Sequence, residues 1–371
     1  MTFLDIFLYI FIGIIFIQFI YYIGFFSTFC FTKASKGKNT NLPPVSVIVC
    51  AKNEAENVKK LIPELLNQKY NDYEIILIDD ASSDETLEIF EEYQKKSNKI
   101  RLVKVENIEA FWGNKKYALT LGIKTAKKPY MLFTDADCIP NSEHWITEMT
   151  SHFTEKKSIV LGYGKYKKIK GSFLNKIIRY ETLITAIQYF AWAKLGKPYM
   201  GVGRNLAYSQ NDFYAVNGFI DHINVRSGDD DLFINQAANA KNTTICYTLD
   251  SFTISEPKTT FKSWYKQKRR HVSTAEYYKF FDKAQLALFY ITNVLFFIMA
   301  IFLIASQYLW PVVTALICFR YLFTWLAIGN GAGKLHEKDV ILLYPFLEII
   351  LIVTQFIVYI NNTLSKPVHW K

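Results

Sequence analysis

Apolar positions along this chain fall into two regimes. From Ile6 to Phe26 no residue carries a charge, a run long enough to cross a hydrocarbon core of roughly 30 Å. Ala284 to Phe319 is likewise uncharged and contains Pro311, which predicts two spans at about 285–305 and 309–329. A last span runs from about Val340 to Ile360. No basic residue precedes the first run and no small-x-small site follows it, so it reads as an anchor and not as a cleaved leader.

The intervening region has a different rhythm. Val45 to Cys50, Tyr73 to Ile78, Ile100 to Val105 and Tyr130 to Phe133 are short, apolar, β-favouring runs. Between them Val58, Leu61, Leu65 and Leu66, then Phe90 and Tyr93, then residues from about Asn114 to Ala126 keep helical spacing. Strand and helix alternating in this way predict a mostly parallel, Rossmann-like α/β sheet with helices on its faces. Pro63 predicts a break in the first of these helices, and Ser83 or Asp84 is placed to cap the second. Phe173 to Leu195, aromatic and aliphatic with interspersed bases, reads as a helix lying on the bilayer, with a core helix of the folded domain as the alternative. The chain therefore divides into an anchor at 1–30, a folded domain at 44–275 and three membrane helices at 284–361.

Charge fixes the expected orientation. Lys33, Lys36 and Lys38 follow the first span while Met1 to Asp5 holds no base, so the positive-inside bias puts the central domain in the cytosol, at the cell inner membrane. Lys334 and Lys338 in the loop between the last two spans agree, whereas Lys366 and Lys371 in the tail oppose it. The net charge of +10 comes from bases grouped near membrane ends: Lys33 to Lys38, Lys165 to Lys170 and Lys266 to Arg270. That grouping favours anionic lipid headgroups and a phosphorylated substrate as partners and argues against nucleic acid. The five cysteines are scattered, with no CxxC pair, which argues against a disulfide framework or a zinc cluster. Arg320 and Glu348 fall inside the third and fourth spans at similar depth, where lone charges are expensive, and are predicted to pair.

Candidate chemistry gathers at the strand ends, where open α/β sheets bind their ligands. Asn53, Glu54, Asp79, Asp80, Glu106, Asp135 and Asp137 all fall on that edge. Asp135 and Asp137 end an apolar strand one residue apart, and such a pair calls for a hard divalent cation, Mg²⁺ or Mn²⁺, with open positions for phosphate. Asp80 suits hydrogen bonding to a ribose or base, and Lys115 suits a base or phosphates. Farther on, Asp229, Asp230 and Asp231 open an apolar helical pattern. Three like charges in a row are costly to bury, so one of them pointing at a reaction centre is sufficient. In Tyr199 to Tyr208, Gly201, Gly203 and the Arg204-Asn205 pair suit a loop passing close to the acceptor.

The stretches VSVIVCAKNEAENV, ILIDDASSDET, GNKKYALTLGI and MLFTDADCIP, in this order, resemble the nucleotide-binding half of inverting family 2 glycosyltransferases with the GT-A fold, over about residues 44–275. The resemblance implies a nucleotide-diphosphate-sugar donor, with Glu54 and Asp80 near the nucleoside and Asp137, with Asp135, on the metal. The segment from Ser227 to Gln236 is similar to the GDDxxLxNR element of membrane polysaccharide synthases. This implies Asp230 as the base that takes the acceptor hydroxyl's proton, with Asp229 as second choice. Lys266 to His271 looks like the QxxRW element: Gln267 and Arg270 match, and His271 stands where tryptophan is usual. It implies a clamp on diphosphate or acceptor, while the histidine departs from the pattern of processive enzymes. The expected activity is single transfer to a lipid-linked or glycan acceptor. The rivals are processive synthesis with export and an inactive membrane nucleotide-binding or transport component.

Overall fold

The computed structural model describes residues 2–33, 37, 39, 41–106, 115–225 and 227–365. Lys36, Lys38, Asn114, Lys366 and Lys371 lie outside them. Among the described residues ten strands form two sheets: β1 (Val45–Ala51), β2 (Tyr73–Asp79), β3 (Ile100–Lys104), β4 (Tyr130–Asp135), β5 (Cys138–Pro140), β6 (Ile159–Leu161), β7 (Gly164–Tyr166), β8 (Leu206–Ser209), β9 (Thr243–Ile245) and β10 (Thr253–Ser255). The larger sheet has the order β3-β2-β1-β4-β8-β6-β9. Within it β1 pairs in parallel with both β2 and β4, so the ends of β1, β2 and β4 share one edge, while β8 runs antiparallel to β4 and β6. The smaller sheet, β5-β10-β7, starts two residues after β4 ends.

Every residue of β1 and β2 is buried, as expected of inner parallel strands covered on both faces. Alternate residues serve different cores. Val45, Val47 and Val49 face the helix Ala55–Leu66 through Val58, Leu61 and Leu65. Ile48 and Cys50 face a second core that runs without interruption into the membrane helices. Pro63 does not break its helix. It sits exposed in the last turn, where the missing N–H costs one bond on the solvent side. Neither Ser83 nor Asp84 is the N-cap of the next helix, Thr86–Lys96; that residue is Glu85, which makes no side-chain cap bond, while Asp84 just before it accepts the Thr86 N–H at 3.0 Å.

Among the described residues four helices are long and apolar enough to cross a membrane, at Phe3–Cys30, Phe280–Ala305, Trp310–Lys334 and Lys338–Leu364. The first changes to a π-helical turn over Ile20–Phe25. Arg320 and Glu348 meet as predicted, with guanidinium-to-carboxylate contacts of 2.7 and 2.5 Å. The cluster is larger than a pair. Arg320 also donates to Gln18 at 2.9 Å, Asn293 at 3.0 Å and Tyr344 at 3.0 Å, which joins all four spans.

The helix Phe173–Lys194 differs from expectation. It does not lie on the bilayer; 15 of its 22 residues are buried, because it is apolar on nearly every side and a helix of that kind belongs in a core. It is the joint between sheet and membrane helices. Phe190 packs on Phe29 of the first span at 5.1 Å, and the buried Arg179 grips Glu337 and Asp339, beyond the third span.

Candidate active site

The strand-end loops after β1 and β2 are built as one piece. Asn53 and Ala81 both take positive φ, 55° and 53°, a conformation asparagine tolerates better than most residues. The Asn53 carboxamide accepts the Ser83 N–H at 2.7 Å, and the Asn53 N–H donates to Ser82 at 3.0 Å. This locks Glu54 and Asp80 onto the same edge. Glu54 accepts from Asn57 at 2.5 Å, and Asp80 is buried with Lys52 at 3.9 Å.

Asp135 is the last residue of β4, and Asp137 follows in the turn into β5. Their carboxylates and the Cys138 thiol offer atoms within 4.8 Å of one another. Burial, then Asp135 and Glu54, push the Asp137 carboxyl up, so a cation between these acids relieves a repulsion already present. Burial and the two neighbouring aspartates push the Cys138 thiol well above its usual range. Protonated, it is a poor ligand, which leaves a hard oxygen set fit for Mg²⁺ or Mn²⁺. Burial alone would raise Asp135 as well, but the Lys115 ammonium at 2.8 Å holds it low, with Arg204 and Arg270 assisting.

Lys115 bridges two motifs that are distant in sequence. The same ammonium reaches Asp229 at 2.9 Å, so the β4 end and the acidic triplet are tied through one cation. Lys116, one residue on, faces elsewhere: it donates to the carbonyls of His222 and Val225 at 2.7 and 2.8 Å and anchors the loop that precedes the triplet.

The three consecutive acids have three different surroundings. Asp229 is paired with Lys115. Asp231 is buried and accepts from the hydroxyls of Thr274 at 2.5 Å and Tyr278 at 2.6 Å. Asp230 caps the helix Asp231–Ala237 through one oxygen and accepts the Gly203 N–H at 2.6 Å through the other. It lines a small pocket together with Lys115, Asp135, Gly203, Tyr208 and Asp229. Burial, then Asp229 and Asp231, push Asp230 up to about 7, a value suited to a general base near neutral pH.

Gln267, Arg270 and His271 lie in the last turns of the helix Phe261–Val272. Arg270 is close enough to depress Asp135. His271 is exposed, yet among its neighbours are Lys268, Arg270, Arg204 and Lys115, whose charges, after the crowding of the protein around it, hold its imidazole well below the usual range. Glu54, Asp80, Lys115, Asp135, Asp137, Asp229 and Asp230 thus gather on one edge, with Glu54 and Asp80 toward the β1 and β2 ends and Asp230 lining the same pocket as Asp135, while Arg270 and His271 approach from the later helix. Sequence reasoning placed Arg204 on a loop near the acceptor but gave its side chain no partner, and it missed Tyr166, Ser255 and the anchoring role of Lys116; nothing in sequence brings Tyr166 or Ser255 to Arg204.

Two family models match the chain: glycosyl transferase family 2 over residues 46–215 and glycosyl transferase family group 2 over residues 134–350. An uncharacterized glycosyltransferase of Haemophilus influenzae is 31% identical over 149 residues, 40% of this chain and 42% of that protein. A UDP-Glc:α-D-GlcNAc-diphosphoundecaprenol β-1,3-glucosyltransferase of Escherichia coli is 30% identical over 125 residues, 33% of this chain and 45% of that protein. The alignments therefore span less than half of these relatives. Among solved structures, a mannosyltransferase from Pyrobaculum calidifontis in complex with GDP-Man and Mn²⁺ superposes with a TM-score of 0.56 at 17% identity, over 87% of this chain and 98% of that one.

Proposed function

The chain belongs to glycosyl transferase family group 2, and from that premise we propose that it is a multi-pass membrane enzyme that moves a sugar, with inversion, from a nucleotide-diphosphate carrier to a lipid-linked or glycan acceptor at the cytosolic face. The observation that carries the reading is Asp230. It is the one acid of the triplet that neither pairs with a lysine nor receives two hydroxyls, it lines the pocket shared with Asp135, and its carboxyl is raised to about 7. A carboxylate so placed takes the acceptor hydroxyl's proton as that oxygen attacks the anomeric carbon opposite the departing diphosphate. Lys115 keeps Asp229 and Asp135 in place, and Gly203 orients the base through its N–H. Asp137, with Asp135, would hold Mg²⁺ or Mn²⁺, which supplies positive charge to the leaving diphosphate. Glu54 and Asp80 form the nucleoside side of the cleft, and Gln267, Arg270 and His271 its acceptor side.

A lipid-linked acceptor is supported by the joint between cleft and spans, since the helix Phe173–Lys194 packs against both. The E. coli relative, whose name specifies a diphosphoundecaprenol acceptor, supports the same class. The test is transfer by the purified full-length protein from a panel of nucleotide sugars to membrane lipid extract, with donor binding measured in parallel. Asp230→Asn is expected to bind donor and lose transfer, and Asp137→Ala to lose metal-dependent donor binding. Undiminished transfer by the asparagine variant would remove Asp230 from its role.

A further inference from the structure

Arg204 lies on a platform made by the small sheet. Register sets Cys138 of β5 and Tyr166 of β7 on either side of Ser255 of β10, so these three side chains form a row that begins one residue after Asp137. The Arg204 guanidinium rests over the Tyr166 ring at 4.2 Å and donates to Ser255 at 3.3 Å. Ser255 in turn is 2.9 Å from the Cys138 thiol. The backbone is fixed as well: Thr253 donates to the Arg204 carbonyl at 2.8 Å. Gly164 leaves room for the side chain, since a Cβ there would stand 2.9 Å from the Arg204 Cβ and 3.3 Å from its guanidinium carbon.

Among the described residues half-buried Arg204 forms no ion pair, which sets it apart from the two buried arginines. Arg179 and Arg320 each hold a carboxylate. A guanidinium has five donors in a planar fork matched to phosphate, and here the one donor with a described partner meets a neutral hydroxyl. Its position is fixed by stacking, by that hydroxyl and by its own carbonyl, and the charge is left for something else. The nearby aspartates do not neutralise it by contact, although Asp135 and Asp137 both feel its field.

We infer that Arg204 is a phosphate-binding residue of the cleft, pre-set on the Tyr166–Ser255 platform to take phosphoryl oxygens by two-point contact beside Asp137. The assignment deepens the glycosyl-transfer reading and rests on it for whose phosphate is bound: the donor's diphosphate or a phosphate on the acceptor lipid. Full-length protein in detergent with Mn²⁺ is titrated with UDP, GDP and inorganic pyrophosphate, and transfer to membrane lipid extract is measured against acceptor concentration, for wild type, Arg204→Gln and Arg204→Lys. Loss of a charge-assisted two-point contact weakens binding by about tenfold or more. Arg204→Lys, which keeps the charge but not the fork, is expected to fall between wild type and Arg204→Gln, and it carries the test if Arg204→Gln does not fold.

A fall in diphosphate and pyrophosphate affinity assigns the donor's phosphates. Unchanged diphosphate affinity with a raised acceptor KM assigns the acceptor's. Wild-type binding and kinetics in both variants would overturn the assignment while leaving the transferase reading intact. A wild type that binds neither the nucleotides nor pyrophosphate would overturn both.

Discussion

Replacing Asp230 by asparagine separates what the residue does for chemistry from what it costs the fold. Asparagine keeps the shape, can still accept the Gly203 N–H and remains a good N-cap for the helix Asp231–Ala237. What disappears is a charge the folded protein disfavours. The carboxyl moves from its ordinary 3.8 to about 7 because the surrounding protein strips it of water and sets it, half-buried, beside Asp229 and Asp231. A displacement of about 3 pH units at about 1.4 kcal/mol each amounts to a ceiling of about 4 kcal/mol. The sign follows from proton counting. Between the two values the folded state holds a proton that the unfolded state has lost, so wild-type stability falls as pH rises from about 4 to about 7 and stays low above. Asp230→Asn has no such group. Its melting temperature in detergent and EDTA is expected to match wild type near pH 4 and to exceed it by several degrees at pH 8. In the same enzyme, wild-type kcat/KM should climb with pH to a plateau above about 7, whereas the asparagine variant transfers no sugar at any pH. A gap in melting temperature that does not widen between pH 4 and pH 8 would refute the reasoning, because it would mean that Asp230 is not strained by its neighbours.

Three further outcomes follow from other contacts. Glu348→Gln leaves Arg320 charged and buried among Gln18, Asn293 and Tyr344; a loss of about 3–5 kcal/mol is expected, read as a lower melting temperature, and Arg320→Met/Glu348→Met should lose less than the single change. Arg179→Ala strips the buried Glu337 of its guanidinium, and limited proteolysis should then cut near 335–343 while wild type resists. Tyr278→Phe removes one of the two hydroxyls on Asp231 and should cost about 1.5–3 kcal/mol with kcat kept within a few-fold, a pattern opposite to that of Asp230→Asn.

Much of the fold was legible because its signals are local. Uninterrupted apolar runs marked the four helices long enough to cross a membrane, and short apolar, β-favouring runs marked β1 to β4 within a residue or two. The short strands β5, β6, β7, β9 and β10 were not legible: three or four residues carry too little pattern, and their pairing is made by distant partners. The helix Phe173–Lys194 was misplaced because an apolar helix looks the same whether lipid or protein covers it. Only the packed structure shows the sheet on one side and the spans on the other.

The same division holds at the site. Sequence alone determined that acids collect at the carboxyl edge of a parallel sheet and that a triplet opens a later helix, since strand ends and helix starts are written in neighbouring residues. It could not assign Asp229, Asp230 and Asp231 to different tasks. That was decided by Lys115, Gly203, Thr274 and Tyr278, which come from three separate stretches of chain. Identical side chains acquire different charges and duties from whatever the tertiary fold sets within about 3 Å of each, a distance at which one hydrogen bond or one ion pair outweighs anything the local sequence contributes.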